Sequence, residues 1–167
     1  IVNSTSVRVA GNRLDQSIVE FVRKRHGLAI GDRTAEEIKI TIGSALMVSE
    51  QEQMEIKGRD MITGLPKPVT VSTNEIVEAI GDDLQEIVKA IKSVLQETPP
   101  ELASDIIDRG MVMTGGTALL KNLDHYISQS VGVPCYAAEE PLLCVAKGTG
   151  VALDNLEAYK KSILSAK

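Results

Sequence analysis

The stretch Met111-Val112-Met113-Thr114-Gly115-Gly116-Thr117-Ala118-Leu119-Leu120 decides how this 167-residue chain is read. Met111 to Thr114 predicts a short buried strand, Gly115-Gly116 a turn, and Ala118 to Ser130 a helix with Leu119, Leu120, Leu123 and Ile127 at helical spacing. Two glycines at a strand–helix junction permit positive φ and let a ligand approach the backbone closely. A helix starting there would aim free N–H groups and a positive dipole end at whatever rests on the turn. The same pattern also serves as a plain bend, so ligand binding and simple turning both stay open at this point. Two phosphate motifs fail nearby. Gly116 to Lys121 lacks the second glycine of a P-loop, and Gly148-Thr149-Gly150 lacks the third glycine of a dinucleotide fingerprint.

Downstream, Pro134 to Ala138 reads as another strand, and a helix runs from Pro141 toward Tyr159, interrupted near Gly148 and Gly150. This β-α-β-α order implies a short sheet covered by helices. Upstream, the alternation from Ile1 through Val7 and Val9 predicts a strand that Gly11 ends. Leu14, Ile18, Phe21 and Val22 then recur at helical spacing up to Gly27, a good C-cap. Thr34-Ala35-Glu36-Glu37 has the pattern of a capping box, followed by Ile38 and Ile42 on one face. Residues 53–59 and 69–71 alternate as a two-stranded β element. Ser72-Thr73-Asn74-Glu75 is a second capping box, opening a long helix through Ile76, Ile80, Leu84, Ile87, Ile91 and Leu95. Gly81 is expected to kink it and Pro99-Pro100 to close it. Residues 12–74 read as a separate α+β lobe, set between the first strand and the later layers.

Composition limits the function. Hydrophobic residues make up 43% and charged residues 25%, the balance of a folded domain. Aromatics are only 2%, which argues against a base-stacking platform for single strands, and a net charge of −5 argues against a polyanion partner. The run Arg23-Lys24-Arg25-His26 fits the solvated last turn of a helix, where cations complement the dipole. Cys135 and Cys144 are the only cysteines and lack the number and spacing of a disulfide framework or zinc site. They are expected to be reduced and largely buried. No apolar run reaches the roughly 20 residues of a membrane-spanning helix. His26 and His125 have no triad partners and are assigned no chemistry.

The segments Pro99-Pro100-Glu101-Leu102-Ala103-Ser104-Asp105-Ile106 and Arg109-Gly110-Met111-Val112-Met113-Thr114-Gly115-Gly116 resemble bacterial actins of the MreB type. So do Ser6-Val7-Arg8-Val9-Ala10-Gly11 and Cys144-Val145-Ala146-Lys147-Gly148. The resemblance runs over nearly the whole chain and covers the second half of that family's usual length. It implies an α/β fold, the second half of an actin-like (ribonuclease-H-like) ATPase fold with a small α+β lobe inserted in the core subdomain. The core would be residues 1–11 and 75–167, and the lobe residues 12–74. In the wider superfamily of actins, sugar kinases and heat-shock chaperones, the Gly-Gly turn is the adenosine motif. The resemblance therefore assigns Gly115, Gly116 and Thr117 to the nucleotide, with Leu119 as a wall for the adenine. The family often has a third glycine where Thr117 stands. Glu36 and Lys39, three residues apart on one helix face, would reach the ribose and adenine. Without the resemblance they read as a surface ion pair. Gly11 would lie near the nucleotide floor, Asp15 reads as an early-helix acid, and Gly148 and Gly150 match the family's second hinge.

The resemblance further implies ATP or ADP with Mg²⁺ in the complete protein, and self-association into filaments. It implies cell-shape and cell-wall synthesis partners beneath the inner membrane from the cytoplasmic side. The family's phosphate loops and catalytic acid do not occur in this chain. The 167 residues alone are accordingly expected to bind nucleotide weakly at best, without hydrolysis, and to make no direct membrane contact. A superfamily chaperone or sugar-kinase fragment, or a stand-alone binding module with a structural Gly-Gly turn, are the alternatives.

Overall fold

The computed structural model describes residues 1–159; residues 160–167 of the expected core subdomain lie outside the described part. The first ten residues form no strand. Their alternation meets no partner ladder, and Asn3 instead hydrogen-bonds the Val94 carbonyl and Glu97. A period of two specifies a strand only where a neighbouring strand takes its N–H and C=O groups. Gly11, expected to end that strand, begins a helix.

That helix, α1 (Gly11–His26), buries Leu14, Ile18 and Val22 on one stripe and ends at Gly27. Gly27 has φ 62° and donates to the Arg23 carbonyl, as the sequence suggested. Strand β1 (Leu28–Ala29), too short to show a pattern, was not anticipated. Helix α2 (Asp32–Ile42) buries Ala35, Ile38 and Ile42, but its N-cap is Gly31 and not Thr34. The expected capping box there does not form, because Asp32 and Arg33 already lie in the first turn.

Strands β2 (Gln53–Asp60) and β3 (Pro66–Ser72) form an antiparallel hairpin in which Met54 faces Val71 and Ile56 faces Val69. With β1 they make a three-stranded sheet in the order β1-β2-β3, one strand more than expected. The tip is held by Asp60, whose carboxylate accepts from the backbone N–H of Thr63 and Ile62. Helix α3 (Thr73–Gln96) opens on a true capping box: the Ser72 N–H donates to the Glu75 carboxylate at 2.9 Å. It stays helical through Gly81 and buries Ile76, Ile80 and Leu84 against α1 and the sheet.

Pro99 and Pro100 do not simply close α3. Pro100 occupies the first position of a further helix, α4 (Pro100–Arg109), where its missing N–H costs nothing. Strand β4 (Met111–Met113) pairs parallel with β5 (Cys135–Ala137), Met111 facing Cys135. β4 is not the buried strand expected, since Val112 is about half-exposed. The segment after Gly115 also differs. Gly116–Leu119 is one 3-10 turn, Asn122 sits in the left-handed region at φ 61°, and only then does α5 (Leu123–Val131) begin. The helix dipole invoked for the Gly-Gly turn is therefore not aimed there. Helix α6 (Cys144–Asp154) runs unbroken through Gly148 and Gly150 and ends at Asn155. Cys135 and Cys144 are free and partly exposed, rather than largely buried; desolvation raises the Cys135 thiol above its ordinary pKa.

A single apolar cluster links these pieces. Leu120, Leu123 and Ile127 belong to the same core as Leu14, Ile38, Ile76 and Ile80. The turn after β4 is thus fixed against α1, α2 and α3.

Candidate functional site

A cavity of about 470 Å³ opens where the start of α1, the exposed side of α2 and the 3-10 turn meet. Five of the six site residues expected from the sequence line it: Glu36, Lys39, Gly116, Thr117 and Leu119. The sixth, Gly115, shapes the turn from beside the lining. Its φ of 86° with ψ 173° is a conformation essentially reserved for glycine, and its N–H donates to the Pro141 carbonyl at 2.8 Å. That bond brings Leu142 to the cavity mouth, where a Cβ added to Gly116 would lie 3.3 Å from Leu142 Cδ2. At the floor, a Cβ on Gly11 would lie 3.4 Å from Lys39 Nζ and 3.9 Å from Thr117 Oγ1. Backbone, ammonium and hydroxyl converge within a few ångströms.

The walls have two characters. Ile40, Leu119 and Leu142 present apolar surface, at 69%, 58% and 65% exposed, in positions where a flat molecule could cover them. Glu36, Lys39, Thr117 and Lys121 supply the polar groups. The α2 helix explains the arrangement: Ala35, Ile38 and Ile42 face the core, so Glu36, Lys39 and Ile40 fall on the other side. The Glu36–Lys39 surface ion pair, the alternative reading of that spacing, is not formed. Lys39 turns toward α1, lying 2.7 Å from Asp15 Oδ1 and donating to the Gly11 carbonyl at 3.2 Å. Asp15 is buried at 7% exposure. Glu36 is exposed, and its side chain has no ion-pair or hydrogen-bond partner among the described residues.

Lys121 is also engaged. It contacts both oxygens of Glu52, at 3.0 and 2.9 Å, and donates to the Thr41 carbonyl at 2.8 Å. Beside it, the Ala45 N–H donates to the Lys121 carbonyl and Asn122 donates to Ser44 Oγ. The sequence reading missed Ile40, Leu142, Lys121 and the role of Asp15. Ile40 had a legible signal, an apolar side chain on the polar side of an amphipathic helix. The other three depend on contacts between segments far apart in the chain.

A larger and more open groove, about 630 Å³, lies between α1 and α3. Its lining mixes Arg13, Lys24 and Arg25 with Glu20, Glu78, Asp82 and Asp83. Arg13 and Ser17 are already committed to Asp83, and no glycine turn gives a ligand access to backbone. It has nothing that matches the convergence at the Gly115 turn.

The MreB/Mbl protein family model matches residues 1–161. Over 165 residues the chain is 46% identical to the cell shape-determining protein Mbl of Bacillus subtilis (strain 168), covering 99% of this chain and 50% of that protein. It is likewise 46% identical over 165 residues to the cell shape-determining protein MreB of Escherichia coli (strain K12), at 99% and 48%. The crystal structure of MreB5 of Spiroplasma citri bound to AMPPNP superposes with a TM-score of 0.90 at 36% identity, covering 97% of this chain and 49% of that one. The MamK double helical filament superposes at a TM-score of 0.66 and 18% identity, covering 83% and 42%, a likeness of fold alone. The chain spans about half the length of the curated relatives it matches. With a mixed α/β portion of the actin-like fold and this sequence identity over nearly its whole length, the chain belongs to the MreB/Mbl family of cell shape-determining bacterial actins.

Proposed function

We propose that this chain is the C-terminal half of an ATP-binding, filament-forming protein that determines cell shape by guiding cell-wall synthesis, and that its cavity holds the adenine and ribose of ATP or ADP. The observation that carries the reading is the charge balance of the cavity. Its two lysines face Asp15 and Glu52, which leaves the exposed Glu36 as the unpaired charge. A phosphate would meet net negative charge there. Ribose hydroxyls can donate to Glu36, ring nitrogens can accept from Lys39, and the base can cover Ile40, Leu119 and Leu142. The solved MreB5 structures with AMPPNP and with ADP support a nucleotide as the ligand.

The phosphates and Mg²⁺ belong, in this reading, to the other half of the relatives' length. Among the described residues no three His, Cys, Asp or Glu side chains gather as a cation cage. The apolar surface of α4, β4 and α6, including Ile107, Val112 and Val145, fits a chain that packs against that other half. Residues 1–11 and 75–167 would form the core subdomain and residues 12–74 the lobe. The filament would be built from copies of the complete protein, beneath the inner membrane and beside cell-wall synthesis proteins. No described helix is long and apolar enough to cross a membrane.

Calorimetric or NMR titration of the 167-residue chain tests this. Adenosine and ADP should bind weakly and with similar affinity, inorganic phosphate should not bind, and ATP should not be turned over. Phosphate binding without adenosine binding, or ATP turnover, would sink the proposal.

A further inference from the structure

Lys39 is held before any ligand arrives. Its side chain is 15% exposed, that of Asp15 10%, and their charged atoms lie 2.7 Å apart. Asp15 stands in the first turns of α1, outside the residues that line the cavity. The Gly11 carbonyl takes a hydrogen bond from the same ammonium. An ammonium carries three N–H donors on a flexible stem, so with one directed at the Gly11 carbonyl and one at Asp15 it still has one to offer a ligand. Ordering that stem during folding removes the entropy cost from the binding step.

We infer that Asp15 is a positioning residue of this cavity: it fixes and neutralises Lys39, so that the cavity selects the uncharged nucleoside end of a nucleotide over phosphate. The inference rests on the nucleoside reading above and deepens it. Were Asp15 uncharged, the cavity would lose its net negative charge, because Lys39 would be offset only by the exposed Glu36 while the other lysine stays held by Glu52. That site would then no longer repel phosphate, and the Lys39 stem would be free to leave the geometry that serves a ring nitrogen or hydroxyl.

Two measurements on the 167-residue chain test this. In the first, lysine ammonium NMR spectra are recorded without ligand. Lys39 should exchange its protons far more slowly than Lys57, which is exposed on β2. Exchange as fast as that of Lys57 overturns the clamp in the unmutated chain, whatever a variant does to folding. In the second, adenosine and inorganic phosphate are titrated into the wild type, Asp15→Asn, Asp15→Glu, Lys39→Met and the Asp15→Asn/Lys39→Met double variant. Asp15→Asn should weaken adenosine roughly tenfold and bring measurable phosphate binding. Asp15→Glu should recover part of the adenosine affinity. In the Lys39→Met background, Asp15→Asn should have no further effect. An equal loss in that background makes Asp15 a structural residue and overturns the proposal. If the slow Lys39 ammonium is present but adenosine does not bind the wild type, the nucleoside reading fails and takes the selectivity with it. A fast ammonium beside intact adenosine binding refutes the role of Asp15 alone.

Discussion

Residues 11–96 and residues 100–159 treat their hydrophobic side chains differently, although the second region is the richer in them. In the first region Leu14, Ile18, Ile38, Ile76 and Ile80 are fully buried and share one core. In the second, α4 and α6 bury no residue, and Val145, Leu153 and Ile107 are 75%, 65% and 61% exposed. The difference shows that an amphipathic pattern specifies a helix without specifying what covers it. The first region closes on itself because its sheet and three helices present their apolar faces to one another. The second contributes Leu120 and α5 to that core, packs Met111, Met113 and Cys135 against it, and leaves α4 and α6 without a buried face.

The largest expected effect sharpens this contrast. Ile38→Ala should destabilise the chain by about 2–5 kcal/mol, from lost burial and the cavity left behind. Val145→Ala should stay within about 0.5 kcal/mol, as surface changes do. Urea unfolding of both variants measures the gap, and similar losses would mean that α6 is packed as tightly as α2. A smaller effect belongs to the cap between the hairpin and α3. Ser72→Ala should cost about 1 kcal/mol, read as a shift in the urea midpoint with an unchanged slope. An unchanged midpoint would mean that packing alone holds that helix start.

The smallest effect concerns the hairpin tip, where pH is the lever. The backbone N–H groups of Thr63 and Ile62, aided by Lys67 and the Thr63 hydroxyl, hold the Asp60 carboxyl at about 2, below its ordinary 3.8. A carboxylate depressed in the folded state adds stability that is complete above the unfolded value and fades as pH falls through the folded one. The contribution should therefore disappear between about pH 4 and about pH 2. Asp60→Asn should flatten that part of the stability–pH profile, and an unaltered profile would remove Asp60 from the tip's support.

Legibility in the sequence followed the range of the forces involved. Gly27 as a helix stop, the Ser72–Glu75 box and the hairpin were readable, because each is decided within a few residues. Pattern also found β4, β5 and five residues of the cavity lining, the latter through family resemblance. The strand expected at the N-terminus failed because alternation needs a partner ladder. The Thr34 box failed because Gly31 offers an earlier extended residue from which the helix starts. The helix expected after Gly116 failed because Asn122 enters the left-handed region and splits the segment into a 3-10 turn and α5. Lys39 was placed correctly on α2, but its partner lies 24 positions earlier, on another helix. Spacing within one helix cannot reveal such a contact.

Lys121 joins three independently built pieces: the C-terminal end of α2 through the Thr41 carbonyl, the approach to β2 through Glu52, and the segment just after the 3-10 turn on which it stands. A displacement of the turn against α2 by the length of one hydrogen bond would part all of these contacts together, along with those of Ala45 and Asn122. The two walls of the cavity are consequently riveted to one chassis. A pull on the Gly116 side would therefore load the Thr41 and Glu52 contacts of Lys121 before the two walls could part.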